Sequence, residues 1–425
     1  MKKALIITYY WPPSGGAGVQ RWLKFVKYLP EFGVKPVVLT VDPSRAEYPI
    51  LDPSLEADIA PELEVYRTDC KGIYEWYKKL TGSKTAPYSG FANEGKPGLL
   101  QKIARFIRGN FFLPDARRGW IKYAFAEACR IIEKEGVTTV ITTGPPHSTH
   151  LTGLKIKEKY NIRWIADFRD PWSNIQYKSF LYQTRYAKQT DLKYERRVLE
   201  QCDTLLLAVD ERERLREIHP HVSPEKMFFL PNGYDETDFE DRLSVTPDKL
   251  VITYTGTIAV NYPTEGLVQA LLKIKGQIPF VVRFIGKVDE KTRGFFQQYL
   301  NEFTEFIPFV EHHESVNYLM SSSVLLLINA HVEGGRFLLH GKIFEYLASG
   351  KPILLLGATD GTSAGIIGQA GAGEAFDYDD VDGIADFLIR NYQKQTIGIQ
   401  PKIDLGIVQK FSRKQLTQQL IKFIG

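Results

Sequence analysis

Side chains able to do chemistry stand in a few short segments of this chain, each directly after an apolar run. The densest is 331–352, HVEGGRFLLHGKIFEYLASGKP. A helix beginning near Lys342 puts Glu345 in its first turn, where the helix dipole stabilises a carboxylate. Such a carboxylate facing a cleft can accept two vicinal hydroxyls, or it is only a helix-start acid. A lysine at that end opposes the dipole, unless an anion sits between its ammonium and the free N–H groups. At 8–18 the sequence TYYWPPSGGAG follows the first apolar run. Gly15 and Gly16 let backbone N–H groups approach a phosphate at the next helix start, or they make a tight turn. This is not GxGxxG, and Thr40 and Val41 end the second strand without a ribose-binding acid. At 142–150, TTGPPHSTH, His147 can hydrogen-bond a substrate hydroxyl or shuttle a proton. The alternative is that His147 or His150 caps the following helix. At 165–172, IADFRDPW, Asp167 and Asp170 flank Arg169, a substrate-facing pair or an internal ion pair that staples the loop.

Composition narrows the classes. With 425 residues the chain suggests two or three domains. It is 44% hydrophobic and 24% charged, which excludes disorder and coiled coil. The net charge of +4 is too small to argue for nucleic acid as a partner. Cys70, Cys129 and Cys202 form no CxxC or Cys/His cluster, pointing to a reducing compartment. The start, MKKALIIT, is too short an apolar run for a signal peptide and has no small-residue cleavage site. The longest apolar runs fall far short of the ~20 residues that span a bilayer. The expectation is a cytoplasmic protein, resting at most on a membrane surface.

The elements that must position these segments alternate. Candidate strands are 4–8, 36–40, 137–142, 163–166 and 204–209, then 250–255, 280–285, 306–308, 324–328 and 352–356. Unbroken apolar runs separated by helical patterns mean parallel strands covered on both faces. The fold class is therefore α/β, with two doubly wound domains. Between them lies PNGYD at 231–235 and a polar stretch to Lys249. The expected divisions are 1–232, with an insertion at about 70–120, 233–408, and a terminal segment 409–425. Leu416, Leu420, Ile421 and Ile424 stand at helical spacing in that segment.

At GKIFEYLASGKP the chain resembles the family 4 glycosyltransferases of the GT-B fold, of the bacterial cell-surface polysaccharide type. PNGYD at 231–235 is similar to the family's linker motif. Gly15-Gly16 matches its first glycine pair, and the YTGT that contains Thr255 and Gly256 matches the start of its second domain. The resemblance spans nearly the whole chain. It implies two Rossmann-like domains facing across a cleft, with the terminal helix crossing back to the first. It also implies a nucleotide-diphosphate sugar bound mainly by the second domain, an acceptor bound by the first, retained anomeric configuration and no metal or other cofactor.

The chain departs from that pattern in two places. Eight residues before Glu345 stands Phe337 rather than a second glutamate, and Glu333 lies twelve before it. The loop after Gly256, IAVNY, has no basic pair, so charge for the diphosphate must come from Lys342, Arg336 or Lys287. The expected activity is a retaining, hexosyl-type glycosyltransferase in surface polysaccharide synthesis. Glu345 would bind the donor ribose, and Lys342 with Gly15 and Gly16 the diphosphate. His147 or Asp170 would contact the transferred sugar or the acceptor, a glycan or a lipid-linked glycan. The alternatives are a GT-B nucleotide-sugar epimerase and a non-catalytic sugar-binding partner. At 101–113, Lys102, Arg105 and Arg108 share one helical face, beside Ile103, Phe106 and Ile107. Such a helix lies on an anionic membrane, here the inner face, or packs its apolar side on the first domain with the cations solvated.

Overall fold

The computed structural model describes residues 1–70, 98–173, 175–240, 247–332 and 334–425. Glu333, the 71–97 part of the expected insertion and 241–246 of the linker stretch lie outside the described residues. The chain forms two compact units, Met1–Pro231 with Leu416–Gly425, and Asn232–Gln415.

The first unit is built on a seven-stranded parallel sheet. Its strands are β1 (Lys2–Ile7), β2 (Val34–Val41), β3 (Glu64–Thr68), β4 (Thr139–Gly144), β5 (Arg163–Phe168), β6 (Thr204–Leu207) and β7 (Met227–Phe229), in the order β3-β2-β1-β4-β5-β6-β7. Leu5 is in register with Val37 on one side and Val140 on the other. Successive side chains of β1 enter opposite cores, as the two-residue period of a strand requires. Leu5 and Ile7 join the layer containing Trp120, Ala128 and Trp164. Ala4 and Ile6 join the layer containing Trp22 and Phe25. Leu416, Leu420 and Ile424 of the terminal helix Arg413–Ile424 lie in that second layer, so this helix returns to complete the first unit.

The second unit carries a six-stranded parallel sheet, β8 (Leu250–Thr255), β9 (Phe280–Ile285), β10 (Thr304–Ile307), β11 (Val324–Ile328), β12 (Ile353–Leu356) and β13 (Gly373–Phe376), in the order β10-β9-β8-β11-β12-β13. Both sheets repeat the 3-2-1-4-5 winding of dinucleotide-binding folds. In each, the order reverses at the first strand, between β1 and β4 and between β8 and β11. Ligands of open α/β sheets bind outside the carboxyl ends of the strands at such a switch point. Among the described residues no helix is long and apolar enough to cross a membrane.

Candidate functional site

The switch point of the second unit brings Thr255, Gly256 and Lys342 together. The helix Lys342–Ala348 buries Ile343, Phe344, Tyr346 and Leu347, which turns Lys342 and Glu345 to its other side. The Lys342 ammonium donates to the carbonyl of Thr255 at 2.6 Å and lies 4.0 Å over the Tyr254 ring. Tyr346 fixes the same strand end, because its hydroxyl accepts from the Thr255 N–H at 3.0 Å. Gly256 has φ +104°, and a Cβ there would lie 3.0 Å from the ammonium, so only glycine leaves both the turn and the lysine in place. Burial lowers the Lys342 ammonium from its ordinary value to about 7, opposed by the Glu345 carboxylate. Glu345 lies 3.9 Å from Nδ1 of His312, whose Nε2 meets Asp238 at 3.0 Å.

The two other cations expected here stand further out. Lys287 is exposed, and its carbonyl accepts from the Ile258 N–H at 2.8 Å. Arg336 is exposed, 3.5 Å from Asp360, with its guanidinium over Phe337. A cavity of about 320 Å³ opens at the same end of the sheet, lined by Asn261, Tyr262, Glu265, Lys291, Phe295 and His331 among others. Neither Lys342 nor Glu345 lines it.

In the first unit the glycine pair divides its work. A Cβ on Gly15 would meet Asp52 at 2.9 Å, and the Gly15 N–H donates to Ile50 at 3.0 Å. Gly15 is therefore a packing position. Gly16, at φ +98° with nothing within 4 Å of a Cβ, faces open space. It starts the helix Ala17–Tyr28, which has no side-chain cap, so backbone N–H groups of the first turn are presented there.

His147 lies inside the first unit. It is buried, its ring stacks on Trp172 at 4.8 Å, and Nε2 lies 3.1 Å from the Pro171 carbonyl. A carbonyl only accepts, so Nε2 carries the proton and Nδ1 is a bare acceptor; that atom is buried without a hydrogen-bond partner. Burial, with His150 and Lys178 nearby, holds the imidazole well below its usual value. A buried, neutral ring braces the 168–172 loop. Neither histidine caps the helix Ser148–Lys159. Asp115 does so instead, accepting from the Ser148 N–H at 2.7 Å and the Ser148 hydroxyl at 2.8 Å.

The 167–170 carboxylates also part company. Asp167 is fully buried and pairs with Arg21, not Arg169, at 2.7 Å. It also accepts from Trp22 and Thr143. Burial works against its charge, but Arg21 and these donors hold it below the usual carboxylate value. Asp170 remains partly exposed, 3.4 Å from Arg169. The Arg169 guanidinium lies against Gly18, where a Cβ would meet Nη1 at 1.6 Å. One group near Asp170 escaped the sequence reading. Glu211, just after β6, is raised to about 7 by burial, opposed by Arg214, with Glu195 and Asp170 adding to the rise. Its only sequence signal is an acid shortly after an apolar run.

No family model and no curated protein matches the sequence. Solved structures match over its whole length. The fold is similar to that of sucrose-phosphate synthase from Thermosynechococcus elongatus, at 16% identity over 99% of this chain and 98% of that one, with a TM-score of 0.65. It is also similar to HepE from Anabaena in complex with UDP-glucose, at 11% identity, 99% of each chain and a TM-score of 0.62. A third likeness is to WaaG, a glycosyltransferase involved in lipopolysaccharide biosynthesis, at 12% identity, 99% of each chain and a TM-score of 0.56. At these identities the likeness is one of fold. The two parallel sheets with their helices are the GT-B architecture.

Proposed function

We propose that the protein is a retaining, hexosyl-type glycosyltransferase that moves a sugar from a nucleotide-diphosphate sugar to a glycan or lipid-linked acceptor in surface polysaccharide synthesis. The observation that carries this reading is the Lys342 ammonium, 2.6 Å from the Thr255 carbonyl beside Gly256, at the switch point of the second sheet. A diphosphate leaving group develops charge as the glycosidic bond breaks, and a cation fixed in advance stabilises that charge without reorganising. Glu345, one turn further along the same side of the helix, is placed to take the ribose hydroxyls. In the first unit Gly16 offers open backbone, and Asp170, partly exposed beside Arg169, would meet a sugar hydroxyl. Retention needs no covalent nucleophile if the leaving phosphate accepts the acceptor's proton on the same face. A lipid-linked acceptor would be met at an anionic membrane, with residues 101–113 in peripheral contact with it. HepE, which shares the fold and is in complex with UDP-glucose, supports a nucleotide-sugar donor, and WaaG, a glycosyltransferase involved in lipopolysaccharide biosynthesis, supports sugar transfer.

The test is an assay of nucleotide-sugar donors with and without acceptor glycans. Release of nucleoside diphosphate that increases with acceptor is expected. An altered sugar on an intact nucleotide would make the protein an epimerase. Binding of the donor without turnover would make it a sugar-binding partner.

A further inference from the structure

The helix Leu99–Phe111 is amphipathic the wrong way round. It buries Ala104, Arg105 and Gly109 against the first unit, with Arg105 only 3% exposed. At 100° per residue the opposite side carries Leu99, Ile103 and Phe106, with Leu100 and Phe111 at its margin. All five are exposed, Leu99 at 75% and Phe111 at 65%. The alternative of a packed apolar face beside three solvated cations is thus corrected for the apolar face and for Arg105. Arg105 goes inward, Arg108 is half-buried and Lys102 stays exposed, while the apolar side chains named above meet solvent.

A second segment is fastened to this helix. Asn110 donates to the Tyr182 carbonyl at 3.2 Å and accepts from the Thr184 N–H at 2.8 Å. Gln183 donates to the Gly109 carbonyl at 3.1 Å. A Cβ on Gly109 would lie 2.4 Å from the Leu181 carbonyl, so glycine permits the close approach. The segment adds Phe180, Tyr182 and Tyr186, also exposed, Tyr186 at 78%.

Charge identifies what such a surface meets. Residues 98–113 contain no acid, and 178–194 contain only Asp191. Asp191 is buried and bound to Lys178 and Trp172. The exposed charges on the two segments, including Lys102, Arg185, Lys188 and Lys193, are therefore all positive. A twofold contact between copies would set this face against itself, cation to cation. Aliphatic and phenyl side chains ringed by tyrosine and lysine suit an anionic bilayer, where the apolar groups enter the acyl boundary and the cations meet phosphates.

We propose that the helix Leu99–Phe111 and residues 180–188 together form a membrane-docking face for anionic lipid. This deepens the peripheral contact named above, and it is read without any donor, so it stands or falls apart from sugar transfer. The full chain should co-sediment with phosphatidylglycerol-containing vesicles at low salt and much less with pure phosphatidylcholine. Ile103→Ser/Phe106→Ser should weaken that binding at least tenfold while leaving the melting temperature in place, because both side chains are exposed. Lys102→Gln and Lys188→Gln should each cost roughly fivefold, the equivalent of about 1 kcal/mol per basic residue. Absence of sedimentation at low salt would overturn the proposal, as would sedimentation unchanged by the apolar pair. A dimer that Phe106→Ser dissolves in analytical ultracentrifugation would overturn it too, by assigning the face to a second copy.

Discussion

Lys342 pairs with no carboxylate among the described residues; its ammonium has the Thr255 carbonyl and the Tyr254 ring. With its pKa lowered to about 7, it loses its proton within the neutral range. A nucleoside diphosphate favours the protonated form, so its binding above pH 7 takes up a proton. Affinity should fall as pH rises from 7 to 9, with a slope of up to about tenfold per unit for one coupled proton. Lys342→Arg, always charged, should flatten that slope in calorimetry, and an unchanged slope would show that another group titrates. Stability should move the other way. The folded value lies below the unfolded one, so the unfolded chain binds more protons between pH 7 and 10.5, and stability rises across that window. At this scale the sequence was informative where partners are local. Lys342 and Glu345 were visible because a helix start is a short pattern. The partner of Asp167 was not, because Arg21 lies 146 residues away, and only the sheet order brings the two together. The burial of His147 is not legible for a related reason, since it depends on Trp172 folding back over it.

Strands were legible in proportion to how fully they are covered. The ten expected from apolar runs all correspond to strands of the structure, with ends shifted by no more than two residues. The three unanticipated ones, β3, β7 and β13, are all edge strands. An edge strand pairs on one side only, and its sequence need not be an unbroken apolar run; β3 reads EVYRT and β13 reads GEAF. Helix orientation was less legible than helix existence. Periodicity found the apolar stripe of Leu99–Phe111 but could not say which side packs inward, because Gly109 wins that side by allowing close approach to Leu181. The same logic makes Gly266 a sensitive position. It lies in the first turn of the helix Glu265–Ile274, and a Cβ there would stand 1.9 Å from the Tyr378 carbonyl oxygen. That neighbour is backbone and cannot rotate aside. Gly266→Ala should destabilise by about 1–3 kcal/mol, the cost of overpacking, despite the better helix propensity of alanine. Urea unfolding followed by circular dichroism measures it, and a neutral or stabilising result would show that the helix can slide off residues 378–379.

On the scale of the whole chain, the first unit is not contiguous. It leaves off at Pro231 and is completed only by Leu416–Gly425. Leu416, Leu420 and Ile424 are buried in the layer that also holds Ile6, Trp22 and Val38. Phe423 packs on Phe228 at 4.4 Å, and the Ile424 carbonyl accepts from the Thr139 hydroxyl at 3.2 Å. The helix therefore covers one face of β1, β4 and β7 rather than lying on the surface as a tail. Leu420 is fully buried, and Leu420→Ala should cost about 2–5 kcal/mol, the transfer loss plus an unfilled cavity. Where that loss appears is the sharper measurement. If the helix is part of the first core, amide hydrogen exchange should quicken in β1 and β4 as well as in the helix, because those strands lose the layer that shields them. Faster exchange confined to Arg413–Ile424 would mean that the helix frays by itself and that the sheet stands without it. The periodicity of residues 416, 420, 421 and 424 established that a helix forms there and that it needs an apolar surface. That the surface belongs to the first unit follows from the sheet left open by β1 and β4, which no pattern within those ten residues records.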